Sequence, residues 1–431
     1  MKRRDFLRKS TAAAAAGIGL PYFVPAHVLA GPNRKGANDK VRVGWVGPGR
    51  RAMALLLQEN LFDHAKVVAA ADCNLQVMDS ADAAVEKKFP GEGNWTKYHD
   101  HRLMLEKEKL DVVFVTTPTH ARALICIHAM QAGMDIYAEK PLTLTIAEGR
   151  SIVKAAQKYK RILQVGTQQR SMPINRYASK LVRTGAIGKV REVIACNFFG
   201  PMQWEPKPAQ PIPEGLNWDM WCNQTELRPY HDLLRLQWGL YPEYDGGGQS
   251  WGVTGWGTHA LDQVQCALGT DDTGPVEIWP EEPGDHARVT LRYENGTLLK
   301  LEGPKRKGYD DLGAIFVGDK GKIEIVRGSA RANPAEILKD APPDYPSVRP
   351  GEVCAHFDNF FECVKTRKQP NACAETAHRA TTVCHLVNIC RQLGRKLNWD
   401  PKAETFRNDE QANKLRSRAR RKGYELPAEV A

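Results

Sequence analysis

From residue 41 to about residue 165 the chain alternates short β-branched runs with amphipathic stretches, and the first run ends in Gly47-Pro48-Gly49-Arg50-Arg51-Ala52. This conjunction restricts the fold more than any other feature. The apolar runs fall at 41–46, 67–71, 111–115, 135–138 and 162–165, with helical periodicity near 51–61, 75–89, 101–109, 121–132 and 146–158. Such alternation predicts a parallel, doubly wound sheet. The G-x-G-x-x-A pattern stands directly after a strand and before a helix. There Gly47 makes the tight turn, Gly49 lets backbone approach a pyrophosphate, Ala52 allows close helix–strand packing, and the helix start favours the anion. Asp72 ends the second run, placed to accept hydrogen bonds from adenosine ribose hydroxyls. A carboxylate there repels a 2′-phosphate, which favours NAD over NADP. Arg50 and Arg51 oppose that preference, since either could meet an extra phosphate, so NADP stays open.

Two strand ends carry a more specific signal. The third run closes on Thr116-Thr117-Pro118-Thr119-His120, and the fourth on Ala138-Glu139-Lys140-Pro141-Leu142. Ligands of open α/β sheets gather at the carboxyl ends of strands. The second motif resembles the Glu-Lys-Pro motif of the glucose–fructose oxidoreductase/inositol dehydrogenase (Gfo/Idh/MocA) family. The resemblance continues through Gly166-Thr167-Gln168-Gln169-Arg170, Gly185-x-x-Gly188, Gly246-Gly247-Gly248 and Gly257-x-His259-x-x-Asp262, and it spans residues 41 to about 400. It implies a Rossmann domain followed by an α+β domain with a large, mostly antiparallel sheet that commonly forms oligomer contacts, so a homo-oligomer is expected. It also implies a nicotinamide-dependent oxidoreductase with Lys140 and His259 as catalytic residues. The cofactor would be met by Gly47, Gly49, Ala52, Asp72, Thr117, Pro118, His120, Glu139 and Lys140, and the substrate would be faced by Arg170, His259 and Asp262. One position departs from the pattern. Many sugar dehydrogenases of the family place an Asp four residues before the His, and here that position is Gly255. Asp262 either substitutes for it or is a helix residue paired elsewhere.

Beyond residue 190, alternating runs predict strands at 190–198, 276–279, 287–293, 297–302, 314–317 and 322–326, with hairpin turns at Asn295-Gly296 and 318–321. The stretch from Trp218 to Asp245 is dense in aromatic and polar side chains. It suits a carbohydrate ring, with Trp218 and Asp245 as contacts, and it equally suits a packed loop with aromatic anchors. Apolar positions along 375–393 mark a core helix, which makes His378 and His385 structural.

The first thirty residues hold five Lys/Arg and one Asp of a chain with formal net charge +11. The opening Arg3-Arg4-Asp5-Phe6-Leu7, a mild Ala/Gly-rich stretch and the small-residue end at Ala30 resemble a twin-arginine signal peptide. That implies recognition by the twin-arginine translocation machinery and export, to the periplasm or beyond, of an already folded protein. Folding before export also accommodates ten scattered cysteines as buried free thiols. Cys354-x-His356 is too short a signal for a metal site. The basic run at 416–422 reads as a solvated, partly frayed helix, and no recognition motif beside it suggests nucleic acid. The expected organisation is a signal peptide at 1–30, a linker at 31–40, an NAD-binding Rossmann domain at 41–165, a substrate and oligomerisation domain at 166–400, and a basic tail at 401–431. The expected reaction is oxidation of a sugar or polyol hydroxyl with the cofactor retained. The alternative is an NAD-dependent, redox-assisted glycoside hydrolase or lyase. A cofactor-binding protein without turnover sits poorly with Lys140 and His259.

Overall fold

The computed structural model describes residues 40–58, 60–245, 252–302, 312–346, 351 and 353–431. The segment expected to be a signal peptide, nearly all of the expected linker and the Gly246-Gly247-Gly248 run lie outside them.

Strands β1 (Val41–Val46), β2 (Ala65–Ala71), β3 (Thr96–Tyr98), β4 (Val112–Val115), β5 (Asp135–Ala138) and β6 (Leu163–Val165) form a parallel sheet in the order β3-β2-β1-β4-β5-β6. The order reverses between β1 and β4, and a crevice opens beyond their carboxyl ends. Local chemistry fixes the intervening helices. Asn74 caps Leu75–Lys88 by accepting from the Gln76 N–H, and Asp100 caps His101–Lys107 in the same way. Thr145 caps Ile146–Lys158 by accepting from the Glu148 N–H.

The second sheet has nine strands: β7 (Val190–Cys196), β8 (Glu277–Pro280), β9 (Val289–Arg292), β10 (Leu298–Glu302), β11 (Ala314–Gly318), β12 (Gly321–Val326), β13 (Ser329–Asn333), β14 (Leu397–Asp400) and β15 (Thr405–Phe406). It is antiparallel except where β10 runs parallel to β7. Its inner face packs on the helices Trp256–Leu268 and Ala374–Leu393, burying Leu261, Val264, Val383 and Val387 with Phe316 and Ile323.

The two units share material across the chain segments that follow residue 166. The helix Cys354–Thr366 lies on the first sheet, not the second. Its Phe357, Phe360 and Phe361 are fully buried against Phe114 and Tyr137, with Phe114–Phe357 centroids 5.8 Å apart. On the opposite face Ala374, Ala377 and Val430 complete the core around Ile125, Ile136 and Ile152. The helix Ala374–Leu393 therefore begins in one core and ends in the other.

The basic run departs from the expected frayed helix. Residues 416–422 form no helix. Arg420 Nη1 donates to Glu148 Oε1 at 3.1 Å, the Arg416 carbonyl accepts from the Ala147 N–H at 3.0 Å, and Val430 is buried. Fixed carboxylate and carbonyl acceptors replace water around these guanidiniums, so the run lies against the protein.

Candidate active site

At the strand-order reversal the turn after β1 is held tightly. Gly47 donates its N–H to the Ala71 carbonyl at 2.9 Å and takes φ +79°. A Cβ there would lie 2.8 Å from the Thr117 backbone nitrogen, so only glycine fits. A Cβ on Gly49 would meet nothing within 4 Å, because that position faces open space. Ala52 is fully buried behind the turn. The cleft beyond has a volume of about 450 Å³ and is lined by Gly47, Gly49, Asp72, Thr117 and Pro118. Burial pushes the Asp72 carboxyl up to about 6, partly offset by the Asn74 N–H it accepts at 2.8 Å. The Thr117 hydroxyl is buried with no partner among the described residues. An open backbone approach, a carboxylate one strand away and an unsatisfied hydroxyl between them fit a dinucleotide laid across the turn. Arg50 and Arg51 both line this cleft, and Arg51 Nε also donates to Glu139 Oε1 at 2.8 Å. Arg51 thus joins the cleft to the Glu-Lys-Pro segment.

At the end of β5, Glu139 is buried. Its burial favours the neutral form, but Arg51 and Lys140 outweigh that and keep it an ionised carboxylate. Gly166 permits this packing, because a Cβ there would come within 2.9 Å of Glu139 Oε1. Lys140 Nζ donates to the Gly255 carbonyl at 3.0 Å. Burial pulls its ammonium down to about 8, against the restoring charge of Glu139. His259, in the first turn of Trp256–Leu268, is 4% exposed and its Nδ1 has no partner among the described residues. Burial first, then the Arg327 and Lys140 cations, hold its proton affinity well below the ordinary imidazole range. The site thus offers a neutral imidazole beside a lysine that titrates near physiological pH, a pairing suited to moving a hydroxyl proton. At the position of the family Asp, the Gly255 backbone carbonyl meets the lysine. Asp245 lies nearby but is committed, its two oxygens accepting from Thr119 Oγ1 at 2.6 Å and Thr254 Oγ1 at 2.8 Å.

Four expected contacts lie elsewhere. Asp262 accepts from Arg170 Nε at 2.8 Å, and Arg170 also bridges to Asp271 at 2.7 Å. Each buried charge satisfies the other, so Asp262 is not the partner of His259, and Arg170 faces a separate groove with Arg176, Lys180 and Arg183. Trp218 is buried, its Nε1 donates to the Arg228 carbonyl at 2.7 Å, and it stacks on Trp221 with centroids 4.5 Å apart. It is an anchor, and Trp221 and Trp238 are indoles that reach the cleft. His120 is fully buried with Nε2 2.7 Å from the Trp221 carbonyl, so it joins the Thr-Pro turn to that loop rather than facing the cleft. Sequence reasoning missed Trp221, Trp238 and Tyr424 on the cleft wall and Arg327 near His259. The aromatic density of 218–245 pointed to the two tryptophans, while Tyr424 and Arg327 gave no local signal.

A parallel sheet in this order, with a glycine turn and a carboxylate at its strand ends, has the form of a dinucleotide-binding Rossmann fold. Residues 41–167 match the family model described as the oxidoreductase family's NAD-binding Rossmann fold, and residues 176–426 match that of its C-terminal alpha/beta domain. The chain belongs to the Gfo/Idh/MocA oxidoreductase family. It is 27% identical over 313 residues to a glycosyl hydrolase family 109 protein of Shewanella pealeana, covering 69% of this chain and 65% of that one. It therefore spans just under two thirds of that relative's length. It is 26% identical over 274 residues to the scyllo-inositol 2-dehydrogenase (NAD(+)) of Bacillus subtilis, covering 62% and 71%. The WlbA dehydrogenase from Bordetella pertussis, solved with NADH and UDP-GlcNAcA, superposes with a TM-score of 0.59 at 17% identity over 84% of this chain and 99% of that one. At that identity the match speaks for the fold alone.

Proposed function

We propose that the chain oxidises a ring hydroxyl of a sugar or polyol and keeps its dinucleotide bound through the catalytic cycle. The observation that carries the reading is the Lys140–His259 pair: a lysine lowered to about 8 and a buried, uncharged imidazole whose Nδ1 has no partner among the described residues. Gly47, Gly49, Asp72, Thr117 and Pro118 would hold NAD, which supplies the hydride acceptor. Lys140 turns its ammonium from the Gly255 carbonyl to the substrate oxygen and stabilises developing alkoxide charge. His259 takes the hydroxyl proton. Arg170 and Asp262 brace the helix that carries His259.

A second reading is supported by the family 109 glycosyl hydrolase relatives. Oxidation of a ring hydroxyl acidifies the neighbouring C–H, the aglycone leaves by elimination, water adds, and the hydride returns to the same carbon. Cofactor retention suits both cycles. The leader resembling a twin-arginine signal peptide supports export, and an exported enzyme meets little free nucleotide to exchange.

The test uses mature protein purified without added nucleotide. We expect dinucleotide to co-elute through gel filtration and turnover to proceed without added NAD. A chromogenic glycoside then separates the cycles: aglycone release without a second sugar indicates the hydrolase or lyase, and dependence on an acceptor sugar indicates the oxidoreductase. Protein that elutes empty, needs millimolar NAD and steadily releases NADH would overturn retention.

A further inference from the structure

The cleft has a second wall that is no part of the Rossmann domain. Opposite Gly47, Gly49 and Asp72 stand Met220, Trp221 and Asn223 from the segment 216–244, and Gly423 and Tyr424 from the C-terminal tail. The segment is docked onto the first sheet by backbone. The Asn217 N–H donates to the Cys73 carbonyl at 2.8 Å, Leu216 bridges to Asn74, and the His120 N–H donates to the Tyr244 carbonyl at 3.1 Å. An aromatic cluster of Trp218, Trp221, Tyr230 and Tyr244 stiffens it.

The tail then crosses the outside of this segment. Arg421 pairs with the Asp219 carboxylate, its Nη2 donates to the Asp219 carbonyl at 2.7 Å, and its Nε donates to the Asn223 carbonyl at 3.1 Å. Tyr424 OH donates to Asp219 Oδ1 at 3.2 Å, with the Arg421 guanidinium 4.8 Å above its ring. Arg420 Nη1 donates to Gln224 Oε1 at 2.6 Å. The tail is fixed on both sides of this crossing, at Arg416 by the Ala147 N–H and at the buried Val430.

We propose that Arg421 and Tyr424 latch the segment 216–244 over the bound dinucleotide and so set how slowly it leaves. The inference rests on the reading that this cleft holds the cofactor. A ligand lying between the Gly47 turn and Asp72 is walled by both elements, so release requires the tail to lift from Asp219. The latch itself is a partly exposed ion pair with Asp219 56% accessible, and such pairs contribute little to folding stability. It can therefore open without unfolding the core that the tail's end completes.

The test compares release of bound nucleotide from wild type and from Arg421→Ala/Tyr424→Ala, by stopped-flow displacement with excess unlabelled nucleotide. The double variant should release nucleotide roughly tenfold faster, as dissociation rates absorb most losses of contact. Arg421→Ala alone, a residue outside the cleft lining, should match wild type in single-turnover hydride transfer when fully loaded. Asp219→Asn removes the charge with minimal packing change and should reproduce the faster release if the double variant folds poorly. Asp72→Ser serves as control for the site. If wild type retains nucleotide, Asp72→Ser loses it, and both latch variants release at the wild-type rate, the latch is wrong while the cofactor reading stands. If wild type binds none and Asp72→Ser changes nothing, the cofactor reading itself fails.

Discussion

Lys140 is where the chemistry of this chain is most exposed to measurement. Burial brings its pKa down to about 8, so the ammonium that would steady an alkoxide is lost as pH rises through that value. Turnover should hold steady between pH 6 and pH 7.5, measured where His259 is already neutral, and fall above about pH 8. Lys140→Arg, if it retains activity, should move that falling limb upward, and Lys140→Ala should lower single-turnover hydride transfer about a hundredfold or more while nucleotide still binds. A profile flat through pH 10 would remove the lysine from the mechanism. Asp72 works with the opposite sign. Its carboxyl is raised to about 6, so the charged acceptor exists only above that pH. Affinity for NAD should strengthen as pH rises from 5 to 7, and the margin over NADP should widen in parallel. Asp72→Ser should weaken NAD binding roughly tenfold or more, the scale of a lost hydrogen bond to a charged group. Titrations of both nucleotides at pH 5 and pH 7.5 would decide it, and a wild type that prefers NADP would pass the role to Arg50.

Among the elements, the joint between the helices Ile146–Lys158 and Ala374–Leu393 depends on charge. Arg150 donates to Glu375 at 2.7 Å and to Glu404 at 2.7 Å, and His378 Nε2 lies 2.7 Å from the same Glu404 oxygen. Burial pushes the Glu404 carboxyl up, but the hydrogen bonds from His378 and Arg150 outweigh it and hold it well below the ordinary carboxylate range. A depressed carboxylate stabilises the fold above its unfolded pKa of about 4.3 and loses that contribution as pH falls further. Glu404→Gln should cost roughly 2 kcal/mol at pH 7, less than a fully buried pair because Arg150 keeps 28% of its side chain exposed. Denaturant melts at pH 7 and pH 3.5 should show the gap shrinking in acid. The sequence displayed the elements this joint connects but not the joint. The helices at 146–158 and 375–393 declared themselves by apolar periodicity, and β1 and β5 by continuous apolar runs matching strands buried on both faces. The edge strand Thr96–Tyr98 escaped because its three residues are not buried and carry no alternation. The helix Cys354–Thr366 escaped because its phenylalanines serve a sheet more than two hundred residues upstream. At the site, residues close together in sequence were legible from their motifs, whereas Asp262, Arg170 and Trp218 depended on partners that no local pattern names.

Taken whole, the molecule is less divided than its two sheets suggest. One face of the first sheet is closed by Phe357, Phe360 and Phe361, the other by Ala374, Ala377 and Val430. The Rossmann half is therefore recognisable from residues 41 to 165 yet physically incomplete there. A ribosome delivers the first sheet long before the residues that roof it, Phe357 to Phe361 on one face and Ala374 to Val430 on the other. Until Phe357, Phe360 and Phe361 emerge, Trp45, Phe114 and Tyr137 have only part of their covering, and until Val430 emerges the same holds for Ile125 and Ile136 on the other face. The Rossmann half thus becomes a closed core only when segments from both ends of the chain have met.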